Sequence, residues 1–210
     1  RVELDSAGDI GAVYDKLLAR ELLAAPARVG LFDDLSGEWP GWELLWSDIE
    51  AGPREYVGGD VQLKVLEEGP ARVALEVTRS QAGSSYRQVI RLGVEGGGDR
   101  VEIDTRIDWA TPSTFSKLLF PLASANPVAT YDLGLGVIER GNNAENLYEV
   151  PAQQWADLTA PDGSWGVSVL NDCKYGWDKP DDHTLRLTLL HTPFPFFISA
   201  YYGHDTQDIG

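Results

Sequence analysis

Apolar and polar positions alternate through much of this chain, most clearly at Val101-Glu102-Ile103-Asp104-Thr105-Arg106-Ile107-Asp108-Trp109. The odd positions there are apolar except Thr105, and the even positions are all charged. Successive strand side chains point to opposite faces, so a period of two predicts a half-buried antiparallel strand. Val61, Leu63 and Val65 alternate with Gln62 and Lys64 in the same way. Val73, Leu75 and Val77 alternate with Arg72 and Glu76, and Ile90, Leu92 and Val94 extend the series. Gly69-Pro70 and Gly96-Gly97-Gly98-Asp99 supply the turns between these runs, which together predict a meander.

Around this centre the elements are shorter. Arg1 to Asp5 and Ile10 to Asp15 predict two strands about a tight turn at Gly8. Lys16 to Ala25 is rich in helix formers and stops at Pro26, which predicts a brief helix. Arg28 to Phe32 predicts a strand, followed by a turn-rich segment holding Trp39, Trp42 and Trp46. These tryptophans either plug the open end of a sandwich, the preferred reading, or form a sugar-stacking face. Phe115 to Leu122, Tyr131 to Gly141 and Trp165 to Leu170 predict further strands. Leu185, Leu187 and Leu189 alternate with Arg186 and Thr188 in one more, and charges on such strands are expected to face solvent. An apolar run, Phe194-Pro195-Phe196-Phe197-Ile198, lies near the end. There is no internal repeat, no long helix and no linker rich in Ser or Gly. The expectation is one all-β domain over residues 1–210, a large antiparallel β-sandwich.

Composition narrows the partners. With 210 residues and 43% hydrophobic content, the chain is long enough to bury a sizeable core. A formal net charge of -16 argues against nucleic acid and against anionic membrane, and leaves neutral ligands such as sugars compatible. Cys173 is the single cysteine, so no internal disulfide forms, which fits a reducing, cytoplasmic setting. No run of about 18 apolar residues marks a membrane span. The chain begins at Arg1 and contains no Met, and so reads as a piece of a longer protein.

Candidate chemistry gathers where the strand ending at Leu170 runs into Asn171-Asp172-Cys173-Lys174-Tyr175-Gly176-Trp177. Asn and Asp favour turns and hold vicinal hydroxyls, Lys adds a donor, and Tyr and Trp offer flat faces to a pyranose. A surface loop with one aromatic tucked beneath it is the alternative. Glu139, Glu149, Asp157 and Asp172 are candidates for an acid/base pair, though spacing alone brings no two together. His183, His191 and His204 lack metal-ligand spacing, and His204-Asp205 near Asp208 suits a solvated turn better than an ion. Neither a Gly-rich phosphate loop nor a Gly-x-Ser-x-Gly elbow occurs. No catalytic residue is therefore assigned in this chain.

Three stretches carry a resemblance. Glu149-Val150-Pro151-Ala152-Gln153-Gln154-Trp155-Ala156-Asp157-Leu158 is followed by Gly166-Val167-Ser168-Val169-Leu170-Asn171-Asp172-Cys173-Lys174-Tyr175-Gly176 and then by Leu185-Arg186-Leu187-Thr188-Leu189-Leu190. In this order they resemble the C-terminal β-domain of glycoside hydrolase family 38 α-mannosidases. Gly134 to Arg140 and Ile10 to Arg20 resemble the same domain upstream, so the likeness spans most of the chain. It implies a galactose-mutarotase-like sandwich preceded by a catalytic domain that supplies an aspartate nucleophile and a zinc ion. Those groups lie outside this sequence, so no cofactor or metal ligand is expected within it. The resemblance implies an α-mannoside as ligand and the upstream catalytic domain of the same polypeptide as partner. Asn171, Asp172, Lys174, Tyr175 and Trp177 are the expected substrate contacts. A stand-alone carbohydrate-binding module and a purely structural accessory domain are the alternatives.

Overall fold

The computed structural model describes residues 1–94 and 100–193, together with the backbone of 206–209. The Gly96-to-Asp99 turn, the Phe194-to-Ile198 run, His204, Asp205 and the side chain of Asp208 lie outside the described residues. Within them, eighteen strands and one short helix form, and every strand pairing is antiparallel.

The chain opens with β1 (Val2–Leu4), β2 (Ile10–Asp15) and β3 (Arg20–Glu21). β4 (Arg28–Asp33) leads through α1 (Trp46–Ala51) to β5 (Glu55–Tyr56). The meander follows as β6 (Gln62–Glu68), β7 (Arg72–Gln81), β8 (Ser84–Gly93) and β9 (Val101–Asp108). Next come β10 (Thr114–Pro121), β11 (Ala129–Asp132), β12 (Val137–Arg140), β13 (Val150–Pro151) and β14 (Trp155–Thr159). β15 (Gly166–Leu170), β16 (Gly176–Asp178), β17 (Thr184–Thr192) and β18 (Thr206–Ile209) complete the order.

Four sheets result. β1-β2-β3 is three-stranded, β18-β9-β8-β7-β6 five-stranded, β12-β11-β14-β15 four-stranded, and β13-β16-β17-β10-β4-β5 six-stranded. The all-β expectation is met. β7 and β8 join through Ala82-Gly83, both at positive φ (52° and 87°), the conformation a two-residue hairpin turn needs to match strand twist. In β9, Thr105 and Ile107 are buried while Arg106 and Asp108 are exposed, as the alternation requires.

One face of the six-stranded sheet provides Val29, Leu31, Trp177, Leu185 and Leu187 to the largest core. Tyr86 and Ile107 of the five-stranded sheet join them, with Tyr131, Leu158 and Val169 of the four-stranded sheet. Each such side chain contributes about 1.5–3 kcal/mol on burial. A second cluster packs Ile10 and Ala27 against Val77 and Ile90, seating the three-stranded sheet on the five-stranded one. The third lies on the other face of the six-stranded sheet, where Ile49 of α1 covers Phe32, Phe115 and Leu119.

One local expectation is corrected. Lys16 to Ala25 forms a turn and the short β3, not a helix. The Asp15 carboxylate accepts from the backbone N–H of Leu17 (2.7 Å) and Leu18 (2.9 Å), offering the backbone a competing partner. Leu17 is 93% exposed, so a helix there would have no core to pack on. The helix forms instead at Trp46–Ala51, where Ile49 finds an apolar sheet face.

Candidate functional site

Three loops meet at one end of the four-stranded sheet. They are the β11–β12 connection at 133–136, the β13–β14 turn at 152–154, and the β15–β16 loop at 171–175. Asp132 organises the first two, with one carboxylate oxygen accepting from Gly134 N (2.8 Å) and the other from Gln154 N (3.0 Å). Its carbonyl also accepts from Gln153 N at 2.8 Å. The third loop is tied on by Asn171 N donating to Gln154 O (2.8 Å) and by Ala152 N donating to Tyr175 O (3.0 Å). Within it, Asn171 Oδ1 accepts from Lys174 N at 2.6 Å, an Asx-type closure. The loop is thus held at both ends by backbone rather than left free.

The expected contact residues divide. Asp172 and Tyr175 are exposed, Tyr175 at 55%, while Asn171 and Lys174 are half-buried. Asn171 Nδ2 makes only a long contact to Gln153 O (3.4 Å), so one amide N–H is available to a ligand hydroxyl. Trp177 requires a correction: it is fully buried in the largest core, directly opposite Leu187 of β17, and offers no face to a sugar. Tyr175 precedes β16, whereas Trp177 lies within it, between β13 and β17 in the six-stranded sheet. Cys173 packs partly against the same core. Burial pushes its thiol pKa up, and the neighbouring Asp172 carboxylate adds to the shift, so it rests as a neutral thiol. Exposed Gln153, Gln154 and Leu135 join this end and were not singled out by sequence as contacts. Nothing in the local sequence marks them, because their proximity depends on three separate connections between strands.

Directly after the loop, β16 is clamped by charge. Asp178 is buried between Lys117 of β10 and Arg186 of β17. Lys117 Nζ lies 2.7 Å from Asp178 Oδ1 as a close ion pair without aligned hydrogen-bond geometry, and donates to Thr188 Oγ1 at 2.7 Å. Arg186 Nε donates to Asp178 Oδ2 at 2.7 Å, and Asn143 Nδ2 donates to the same oxygen at 2.8 Å. Glu149 closes the set, contacting Lys117 and accepting from Thr188 Oγ1 at 2.6 Å. Its carboxylate lies over Gly176, where an added Cβ would collide with Glu149 Oε1. Two anions and two cations balance, as burial demands. Burial pushes the Asp178 carboxyl up, but the Lys117 and Arg186 charges and the Arg186 hydrogen bonds outweigh it and hold the group below the usual carboxylate range.

The other candidate carboxylates are dispersed. Asp157 accepts from Thr159 Oγ1 (2.6 Å) and Ser168 Oγ (2.7 Å), and Glu139 lies exposed on β12. His191 Nδ1 sits 3.1 Å from Asp34 Oδ2, and His183 Nδ1 is 3.3 Å from Leu122 O. Among the described residues, no group of three or more His, Cys, Asp or Glu side chains converges as a metal would need, so these residues do not fit zinc. No helix among them is long and apolar enough to cross a membrane. The tryptophan-plug expectation is also corrected: Trp46 tucks against Tyr148 (ring centroids 5.4 Å apart), but Trp39 and Trp42 are 51% and 84% exposed.

An all-β assembly of antiparallel sheets, presenting a tied polar loop at one end, is the class this geometry defines. Residues 1–195 match the family described as the glycosyl hydrolases family 38 C-terminal domain, and the chain belongs to that family. It is 30% identical over 202 residues to alpha-mannosidase 2C1 of Mus musculus, covering 92% of this chain and 19% of that protein. Alpha-mannosidase G of Dictyostelium discoideum is 27% identical over 206 residues, covering 91% of this chain and 18% of that protein. The chain thus spans about a fifth of the length of the curated relatives it matches. A crystal structure of an alpha-mannosidase from Enterococcus faecalis V583 shares the fold with a TM-score of 0.73 at 14% identity, covering 91% of this chain and 24% of that one.

Proposed function

We propose that this chain is the C-terminal β-domain of a retaining α-mannosidase acting on terminal α-mannosides. In this reading it is a galactose-mutarotase-like sandwich that supplies substrate-side contacts to a zinc-dependent catalytic domain outside this chain. The observation that carries the proposal is the exposed 171–175 loop, tied by backbone hydrogen bonds to two neighbouring loops. Asp172 accepts from a pair of sugar hydroxyls, Lys174 and the Asn171 amide donate, and Tyr175 stacks on the ring. Trp177 anchors the loop from inside the core and makes no sugar contact. The single free cysteine supports a cytoplasmic setting as part of the same proposal.

The test is Asp172→Ala with Tyr175→Ala in the complete polypeptide that carries this domain, assayed on an aryl α-mannoside. A fall in kcat/KM of about tenfold or more, equivalent to about 1.4 kcal/mol of transition-state stabilisation, is expected. Unchanged kcat/KM with the fold intact would favour a purely structural domain. The 210-residue chain alone is expected to hydrolyse no aryl α-mannoside.

A further inference from the structure

We infer that the Trp39-Pro40-Gly41-Trp42 turn is a second carbohydrate-contact site, a stacking platform for one neutral pyranose residue. The inference is independent of the role given to the 171–175 loop. Trp39 and Trp42 stack on one another with ring centroids 5.6 Å apart and planes 20° apart, although each is more exposed than a tucked aromatic would be. Leaving such large apolar surface in water is unfavourable, so a rigidly held exposed pair marks a binding surface.

The turn is built to hold the pair in place. Trp42 N donates to Trp39 O at 2.9 Å, with Pro40 and Gly41 at the two central positions. Pro40 itself is buried. Ser36 Oγ donates to Glu43 Oε1 at 2.7 Å, and Leu35 N donates to Asp48 Oδ2 at 2.9 Å, so the segment is pinned to α1. The rings therefore lose little freedom on binding.

Chemistry selects the occupant. Exposed Glu38 and nearby Glu43, on a chain of net charge -16, disfavour an anion. A cation would also be drawn to an open indole face beside these carboxylates, so tetramethylammonium is titrated alongside the sugars, and its saturable binding in place of theirs overturns the inference. A stable protein partner needs about 800 Å² of surface on each side, and two indoles with the adjacent exposed Leu35 fall short of that. A pyranose matches in size, laying its C–H face on Trp42 and offering hydroxyl donors to Glu38.

The test uses the 210-residue chain and ligand-observed saturation-transfer NMR with methyl α-mannoside and an α-linked mannotriose. Saturable binding in the millimolar range is expected, with Kd raised about tenfold or more by Trp42→Ala and largely restored by Trp42→Phe. Trp39→Ala with Trp42→Ala is expected to abolish binding while circular dichroism and Tm stay unchanged. Leu17→Ala, in an exposed turn outside both loops, is expected to leave it intact. Absence of saturable binding to the wild type, or full binding by the double tryptophan variant, overturns the inference. Binding lost with Asp172 and Tyr175 but kept without the tryptophans also overturns it, and assigns the sugar to the 171–175 loop.

Discussion

Along β17, Leu185 and Leu187 enter the largest core while Arg186 and Thr188, from the same few residues, enter the charged cluster on the opposite face of the six-stranded sheet. Both faces are dry, and they are held by different physics. The apolar face gains in proportion to area removed from water, and loses gradually when a side chain is trimmed. The charged face gains little net energy over an apolar replacement, because each ion was stripped of water to be there. It fails abruptly when one partner is removed. Its Arg186 also lies over the Phe32 ring, 5.2 Å from the centroid, so the two chemistries interlock beneath α1.

Removing Asp178 is expected to have the largest effect on this contrast. Asp178→Ala leaves Lys117 and Arg186 buried without their shared anion, and a loss of about 3–5 kcal/mol in chemical unfolding is expected. The pH dependence sharpens the point. Because the folded Asp178 carboxyl sits below its unfolded value, its contribution is fully present above about pH 4 and is lost as pH falls through the depressed folded value. The wild type should therefore lose stability more steeply on acidification than Asp178→Ala does, read as the urea midpoint against pH. Equal slopes would break the assignment.

Leu187→Ala, on the apolar face, is expected to cost about 2–5 kcal/mol, with no change in the acid slope. Glu149→Gln should cost less, about 1–2 kcal/mol, since Lys117 keeps Asp178 and Thr188. A Glu149→Gln effect matching that of Asp178→Ala would mean that the cluster acts as one unit, testable by a double-mutant cycle. Smallest of all, Asp172→Ala should change stability by no more than about 0.5 kcal/mol, because its side chain is exposed. A larger loss would make that loop part of the frame and not a rim.

Much of the fold was legible from pattern. The alternation at 101–109 matched β9, and Gly69-Pro70 fell between β6 and β7. The Lys16-to-Ala25 segment misled because helix propensity was present while an apolar surface to receive the helix was not. The 171–175 loop was legible as a polar turn after a strand, but the two tryptophan assignments were reversed. Trp177, expected at the surface, fills the core, and Trp42, expected as a plug, stands in solvent. Composition marks an aromatic as costly to expose; it does not say which neighbour covers it.

The same limit explains Arg186. Periodicity alone determined that Arg186 and Thr188 share the face opposite Leu185 and Leu187, because a strand admits only two directions for its side chains. Tertiary structure alone decided that this second face meets Asp178, Glu149 and the α1 segment and not water. Ile49 O, which accepts from Arg186 Nη2 at 3.4 Å, is 137 residues away along the chain. Local pattern can assign a side chain to a face, but the dielectric it meets there is set by a layer that folding brings from elsewhere.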